Sequence, residues 1–252
     1  MRAVMVVPTY DEAENLPVLA ERLLALVPPI DVLVVDDASP DGTADLAEEI
    51  ARGERRMHVV RRKGPRGYGG SCVDGLAWAV GNGYGLAMLM DADLSHDPAV
   101  IPAMLERIDA GADVVIGSRY VAGGGLEVPE WGPVRTAVSR LGSAYARAMI
   151  GTRVRDCTSG FRCYRREILE RVGLHDLRSD GYSFQIEMLD RLTRLGAAVE
   201  EVPIVYVDRR AGVSKISRRI IAEALARTTA IGLARVLGRD QSPRRRRITS
   251  RS

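Results

Sequence analysis

Apolar residues along this chain come in short runs, each stopped by polar or acidic ones. Residues 3–7 (AVMVV) stop at Pro8, 31–35 (DVLVV) at Asp36 and Asp37, and 86–90 at Asp91. Residues 57–60 and 114–116 are shorter runs of the same kind. Between them, at 16–26, 43–52, 75–80 and 100–108, apolar residues recur three and four apart. That spacing puts one apolar stripe on a helix, whereas a strand apolar at every position is buried on both faces. The alternation predicts an α/β fold, a mostly parallel sheet flanked by helices. In such sheets ligands lie outside the carboxyl ends of the strands. Here those ends carry Pro8–Glu12, Asp36–Asp41, Asp91–His96 and Gly117–Tyr120.

Beyond Tyr120 the pattern changes. Gly123–Gly125 and Pro129 predict a loop, followed by helices at 134–150, 168–172 and 183–195. A strand is expected at 200–207, and a long amphipathic helix at 216–237. One domain over 1–238 is expected, its second half built for a different ligand from its first.

Composition narrows the class. At 252 residues and 46% hydrophobic the chain can bury one large core, which excludes intrinsic disorder. Cys72, Cys157 and Cys163 lack C-x-x-C spacing and predict reduced, buried thiols. The uncharged run between Asp74 and Asp91 is broken by glycines and falls short of the ~20 apolar residues that span a bilayer. The opening MRAVMVVPTYDE reaches acidic residues too soon for a secretory leader. A soluble or peripheral protein facing the cytosol is expected. The net charge of +3 sits mainly in the tail 239–252, where six arginines face Asp240 alone. Such a tail suits an anionic surface, and equally a solvated, disordered end.

Two acidic clusters carry the strongest chemical signal. In Asp91-Ala92-Asp93, at a strand end, alternate residues point the same way, so both carboxylates can approach one hard cation such as Mg²⁺ or Mn²⁺. The same pair also reads as an acidic helix cap before Asp97-Pro98. Asp37, ending the second strand, can accept hydrogen bonds from a ribose diol or a base N–H, while Ser-Pro-Asp-Gly after it is turn chemistry. The run Gly64–Gly70 lacks the spacing of a phosphate loop and reads as backbone room for a ligand. Arg119, at a strand end, suits bidentate phosphate recognition, and Asp208–Lys215 reads as a loop or a phosphate clamp. Surface solvation accounts for Arg135 and Arg140 as well as function does.

Taken in order, these pieces resemble the inverting family 2 glycosyltransferases, in particular the dolichyl-phosphate or polyprenol-phosphate mannosyltransferases. The matching motifs are Val7–Asn15, Val35–Thr43, Met90–His96, Gly117–Tyr120, Ser159–Arg162 and Arg209–Lys215, which together run over nearly the whole chain. The resemblance implies a GT-A fold, Rossmann-like in its sheet. It also implies GDP-mannose as donor, a polyprenyl or dolichyl phosphate as acceptor, and a divalent metal cofactor. Residues 1–120 would then form the nucleotide-sugar half, and 121–238 the acceptor half with membrane-facing helices. Pro8, Tyr10, Glu12, Val35 and Asp37 would hold the guanosine. Asp91, Ala92 and Asp93 would face the ribose-diphosphate and metal, and Arg209 and Lys215 would close over the diphosphate. Arg119 and Arg135 would lie near the transferred sugar and, with Arg140, near the acceptor phosphate. Ser95 stands where some relatives place a glutamine metal ligand, so a third protein ligand is in question.

The same resemblance implies peripheral attachment at the cytosolic face of a membrane, by the basic final helix or through a separate anchoring protein, and no nucleic-acid partner. Two rivals are a UDP-glucose or UDP-GlcNAc transferase acting on a polyprenyl phosphate, and a catalytically silent nucleotide-sugar-binding scaffold.

Overall fold

Strand β1 (Ala3–Thr9) is buried along nearly its whole length, and its side chains divide by parity. Val4 and Val6 join one apolar cluster, whereas Ala3, Met5 and Val7 join another on the opposite face. A strand with two dry faces must lie inside a layered sheet, which is what the unbroken apolar run predicts. The computed structural model describes residues 1–128, 133–177, 179–207 and 218–237.

Around β1 the chain alternates α1 (Leu16–Leu24), β2 (Asp31–Asp36), α2 (Thr43–Gly53), β3 (Met57–Arg61), α3 (Tyr68–Gly81) and β4 (Leu86–Leu89). Then follow α4 (Ile101–Asp109), β5 (Val114–Ser118), β6 (Gly125–Glu127) and α5 (Pro133–Ile150). The chain continues through β7 (Arg162–Arg165), α6 (Arg166–Val172), α7 (Gly181–Arg194), β8 (Val199–Pro203), β9 (Val205–Val207) and α8 (Arg218–Val236). Among the described residues seven strands form one sheet in the order β3-β2-β1-β4-β7-β5-β8, and β6 pairs with β9 in a small second sheet. Helices α1 and α4 supply Leu19, Leu23, Met104 and Ile108 to one face of the large sheet; α3 and α7 supply Leu76, Ala79, Phe184 and Leu189 to the other. Each of these leucines, fully buried, contributes roughly 1.5–3 kcal/mol of transfer free energy.

Three departures from the sequence pattern have physical causes. β7 is antiparallel to both β4 and β5, a strand that two arginines in RCYR hide from hydropathy. Arg162 is fully buried there because its guanidinium donates to the carbonyls of Ser159, Gln185 and Cys157. Residues 200–207 are two strands, since the chain leaves the large sheet at Pro203 and pairs with β6. Finally, α3 begins at Tyr68, inside the expected glycine loop, because Gly67 and Gly69 let Asp180 and Ser179 pack against its first turn.

All three cysteines are free and buried, and burial pushes the Cys157 and Cys163 thiols up to about 12. No helix among the described residues is long and apolar enough to cross a membrane.

Candidate functional site

The loops that follow β1, β2 and β4 each contain a non-glycine residue in the left-handed region: Asp11, Ala38 and Leu94, with φ of 56°, 59° and 61°. That conformation costs of order 1 kcal/mol for an L-residue and persists where surrounding contacts over-determine it. Here the first two loops are sewn together. The Asp11 N–H donates to Ser39 Oγ, the Glu12 N–H to Thr43 Oγ1 and the Ala13 N–H to Asp41 Oδ2. Asp36, buried at the end of β2, accepts from Thr9 Oγ1 and from both the N–H and hydroxyl of Ser39. Burial opposes the charge on Asp41, but hydrogen bonds from Thr43 and Ala13 outweigh it and hold its pKa below the usual carboxylate range.

These loops wall a cleft of about 410 Å³ at the carboxyl edge of the sheet, and Pro8, Tyr10, Glu12, Asp37, Asp91, Ala92 and Asp93 all line it. Val35 does not. Its side chain is fully buried against α3, where a Cβ on Gly75 would press on it. Strand alternation turns this side chain, expected at the nucleotide, into the core and away from the cleft lining. Asp37 is set by Arg62 and by the Gly67 N–H at 2.7 Å, so the α3 side of the cleft holds this carboxylate in place. Arg66 lies 4.5 Å over the Tyr10 ring and donates to its hydroxyl at 2.6 Å.

Asp91 and Asp93 line the same cleft. Asp93 is buried and its Oδ1 accepts from the N–H and hydroxyl of Ser95, at 3.1 and 2.5 Å. Ser95 is itself fully buried, so it steadies Asp93 instead of presenting an oxygen to the cleft. Around Asp91 stand His96, 3.8 Å from Oδ2, and Tyr68, whose phenol is pushed well above its usual pKa by burial and then by the Asp91 charge. Gln185 on α7 donates to the Tyr68 hydroxyl at 3.2 Å, while its buried Oε1 has no partner among the described residues. A Cβ on Gly160 would come within 3.2 Å of both Asp91 oxygens, so glycine keeps that carboxylate accessible. Two carboxylates lining one cleft are hard oxygen donors of the kind a divalent cation takes. Among the described residues no larger group of His, Cys, Asp or Glu gathers to hold a metal unaided.

The expected acceptor residues fall elsewhere. Arg119 is buried in a bidentate pair with Asp156 (Nε–Oδ2 and Nη2–Oδ1, both 2.7 Å), and Nη2 also donates to Thr158, which lines the cleft. Burial would raise the Asp156 pKa, but the Arg119 charge and its hydrogen bonds outweigh this and hold it low. Arg119 thus backs the cleft across Thr158 and faces a second cavity, which Arg140 also lines. The Arg135 backbone is in α5, its side chain outside the described set, and Arg209 and Lys215 lie outside the described residues. Glu187 accepts from the Ser179 N–H and from Arg191, so it braces the start of α7.

Tyr68, Gln185, Arg62, Asp156 and Thr158 join the site without a signal in the sequence pattern. Tyr68 stands only in the glycine run and the others in no distinctive motif; α3, α7 and the loops after β3 and before β7, far apart in sequence, bring them together around the cleft.

A mostly parallel sheet with an acidic pair at the end of a central strand, opening into a cleft at its carboxyl edge, is the architecture of the GT-A glycosyltransferases. The family model described as "Glycosyl transferase family 2" matches residues 4–173, and the chain belongs to that family. It is 44% identical over 234 residues to an undecaprenyl-phosphate mannosyltransferase of Micrococcus luteus, covering 93% of this chain and 95% of that protein. It is 42% identical over 233 residues to a polyprenol monophosphomannose synthase of Mycolicibacterium smegmatis, covering 92% and 87%. Among solved structures, glucosyl-3-phosphoglycerate synthase of Mycobacterium tuberculosis with Mn²⁺, UDP-glucose and phosphoglyceric acid superposes with a TM-score of 0.67. That match has 24% identity and covers 90% of this chain and 79% of that one, and it supports the shared fold.

Proposed function

We propose that this protein transfers mannose from GDP-mannose to a polyprenyl monophosphate with inversion, releasing GDP, while attached peripherally to the cytosolic face of a membrane. The observation that carries the reading is the Asp91/Asp93 pair opening into the same cleft as Glu12 and Asp37. Similarity over nine-tenths of the chain to enzymes named for mannosyl transfer to polyprenyl phosphates supports it.

In this reading Tyr10, Glu12 and Asp37 receive the guanosine. Asp91 and Asp93 would hold a divalent cation, Mg²⁺ or Mn²⁺, which when bound neutralises charge developing on the departing diphosphate. The acceptor phosphate is already anionic at neutral pH, so its oxygen attacks the anomeric carbon without a general base. The new carbon–oxygen bond forms opposite the bond to GDP, whose electron pair leaves with the β-phosphate. Arg119, Arg135 and Arg140 face the acceptor phosphate, with Asp156 fixing the plane of Arg119. Arg209 and Lys215 close over the diphosphate. Catalysis is then positioning and charge compensation.

Incubation with labelled GDP-mannose and polyprenyl phosphate is expected to yield an acid-labile mannolipid, with unlabelled UDP-glucose and UDP-GlcNAc failing to compete. Asp93→Asn keeps the oxygen that accepts from Ser95, so the loop should still form, yet transfer should fall roughly a hundredfold or more. Near-normal transfer by that variant, or labelling from a UDP-sugar alone, would refute the reading.

A further inference from the structure

The second cavity, about 490 Å³, lies on the far side of the Arg119–Thr158 wall from the cleft. Arg140 and Arg147 project into it from α5 and Arg155 from the loop before β7. None of these three makes an ion pair or side-chain hydrogen bond among the described residues. That contrasts with Arg61, Arg62, Arg166, Arg191 and Arg194, each of which faces a carboxylate. The nearby acids are already committed inward. Asp156 is held by Arg119, and Glu201 accepts the N–H groups of Arg155 and Asp156 at 2.9 and 3.0 Å. Helix α5 itself contains no acidic residue from Pro133 to Ile150.

Guanidinium groups gathered at one concavity repel one another unless an anion joins them, and planar forks of N–H donors match phosphate oxygens. We infer that Arg140, Arg147 and Arg155 form a binding site for the phosphate of a lipid, beside the transfer cleft. This extends the acceptor side of the proposed function to Arg147 and Arg155, which no motif singles out, and it rests on that reading only for the identity of the lipid. The phosphate can come from the polyprenyl phosphate itself or from an anionic phospholipid of the surrounding bilayer.

The test uses the full chain and the double variant Arg147→Gln/Arg155→Gln, whose altered side chains are exposed. Arg52→Gln/Arg55→Gln, two exposed arginines elsewhere, serves as a control for net charge. Calorimetric titration with farnesyl phosphate and co-sedimentation with phosphatidylglycerol vesicles read the two sources separately. A roughly tenfold weaker affinity in one or both arms is expected for the first variant. The control, the GDP-mannose affinity and the thermal midpoint should be unchanged. Loss confined to farnesyl phosphate assigns the acceptor, and loss confined to vesicles assigns the headgroup. Unchanged binding in both arms, or equal loss in the control, overturns the site. Because the readout is binding, farnesyl phosphate capture without mannosyl transfer would sink the proposed function and leave this site standing.

Discussion

Tyr68 reaches the Asp91 carboxylate from α3, and Gln185 reaches Tyr68 from α7. Tyr68 stands in the glycine run 64–70 and Gln185 in no motif, and neither position by itself shows a link to Asp91, so their role depends on where two helices begin. Replacing Tyr68 by Phe keeps the ring in its edge-on contact with Phe184, 6.3 Å away, and removes only the hydroxyl. One lost hydrogen bond to a charged group is expected to weaken Mn²⁺ binding about fivefold or more, measured by electron paramagnetic resonance titration. Unaltered Mn²⁺ affinity would leave Tyr68 a packing residue alone. Val35 and Ser95 carry the complementary lesson. Both lie in matching motifs, yet alternation buries one side chain in the core, and the other donates its hydroxyl to Asp93.

At the scale of elements, helix α3 is the piece on which the cleft is hung. Its first turn presents the Gly67 N–H to Asp37 and Tyr68 to Asp91, and its middle lies close on the sheet at Gly75. A methyl group at position 75 would run into the Val6 side chain on β1 and approach Val35 on β2. Gly75→Ala is therefore expected to destabilise by about 1–3 kcal/mol despite alanine's better helix propensity. Chemical denaturation should show a lowered midpoint, and a more stable variant would mean that α3 can shift without cost. The β7 strand makes a related point. Its arginine-bearing segment is unreadable as a central strand until three backbone carbonyls are seen capping Arg162.

For the whole molecule, the acid response follows from how its carboxylates are held. Asp156 has its pKa lowered, the Arg119 charge and hydrogen bonds overcoming burial, and Asp41 is lowered by Thr43 and Ala13. A group whose folded pKa lies below its unfolded value contributes stability that is fully present above the unfolded value and lost as pH falls through the folded one. Asp190 runs the other way, since burial outweighs Arg194 and raises it, so its protonation on acidification favours the folded state. With the deeply buried Asp156 dominating, the thermal midpoint should hold from neutrality to about pH 5 and fall below about pH 4. Scanning calorimetry across that range checks it, and Asp156→Asn should flatten the acid limb; a midpoint level down to about pH 3 would contradict this account. The α/β class, the first five strands and the acidic strand ends were legible in the chain, because burial on both faces and the 3.6-residue period act locally and leave a one-dimensional trace. What a side chain faces has no such trace. The tertiary structure alone turned Val35 inward, joined Arg119 to Asp156 across 37 residues, set Tyr68 and Gln185 beside Asp91, and left three arginines around one hollow with no carboxylate partner among the described residues. Those outcomes depend on distances between segments far apart in sequence, which packing fixes only when the whole sheet and its helices come together.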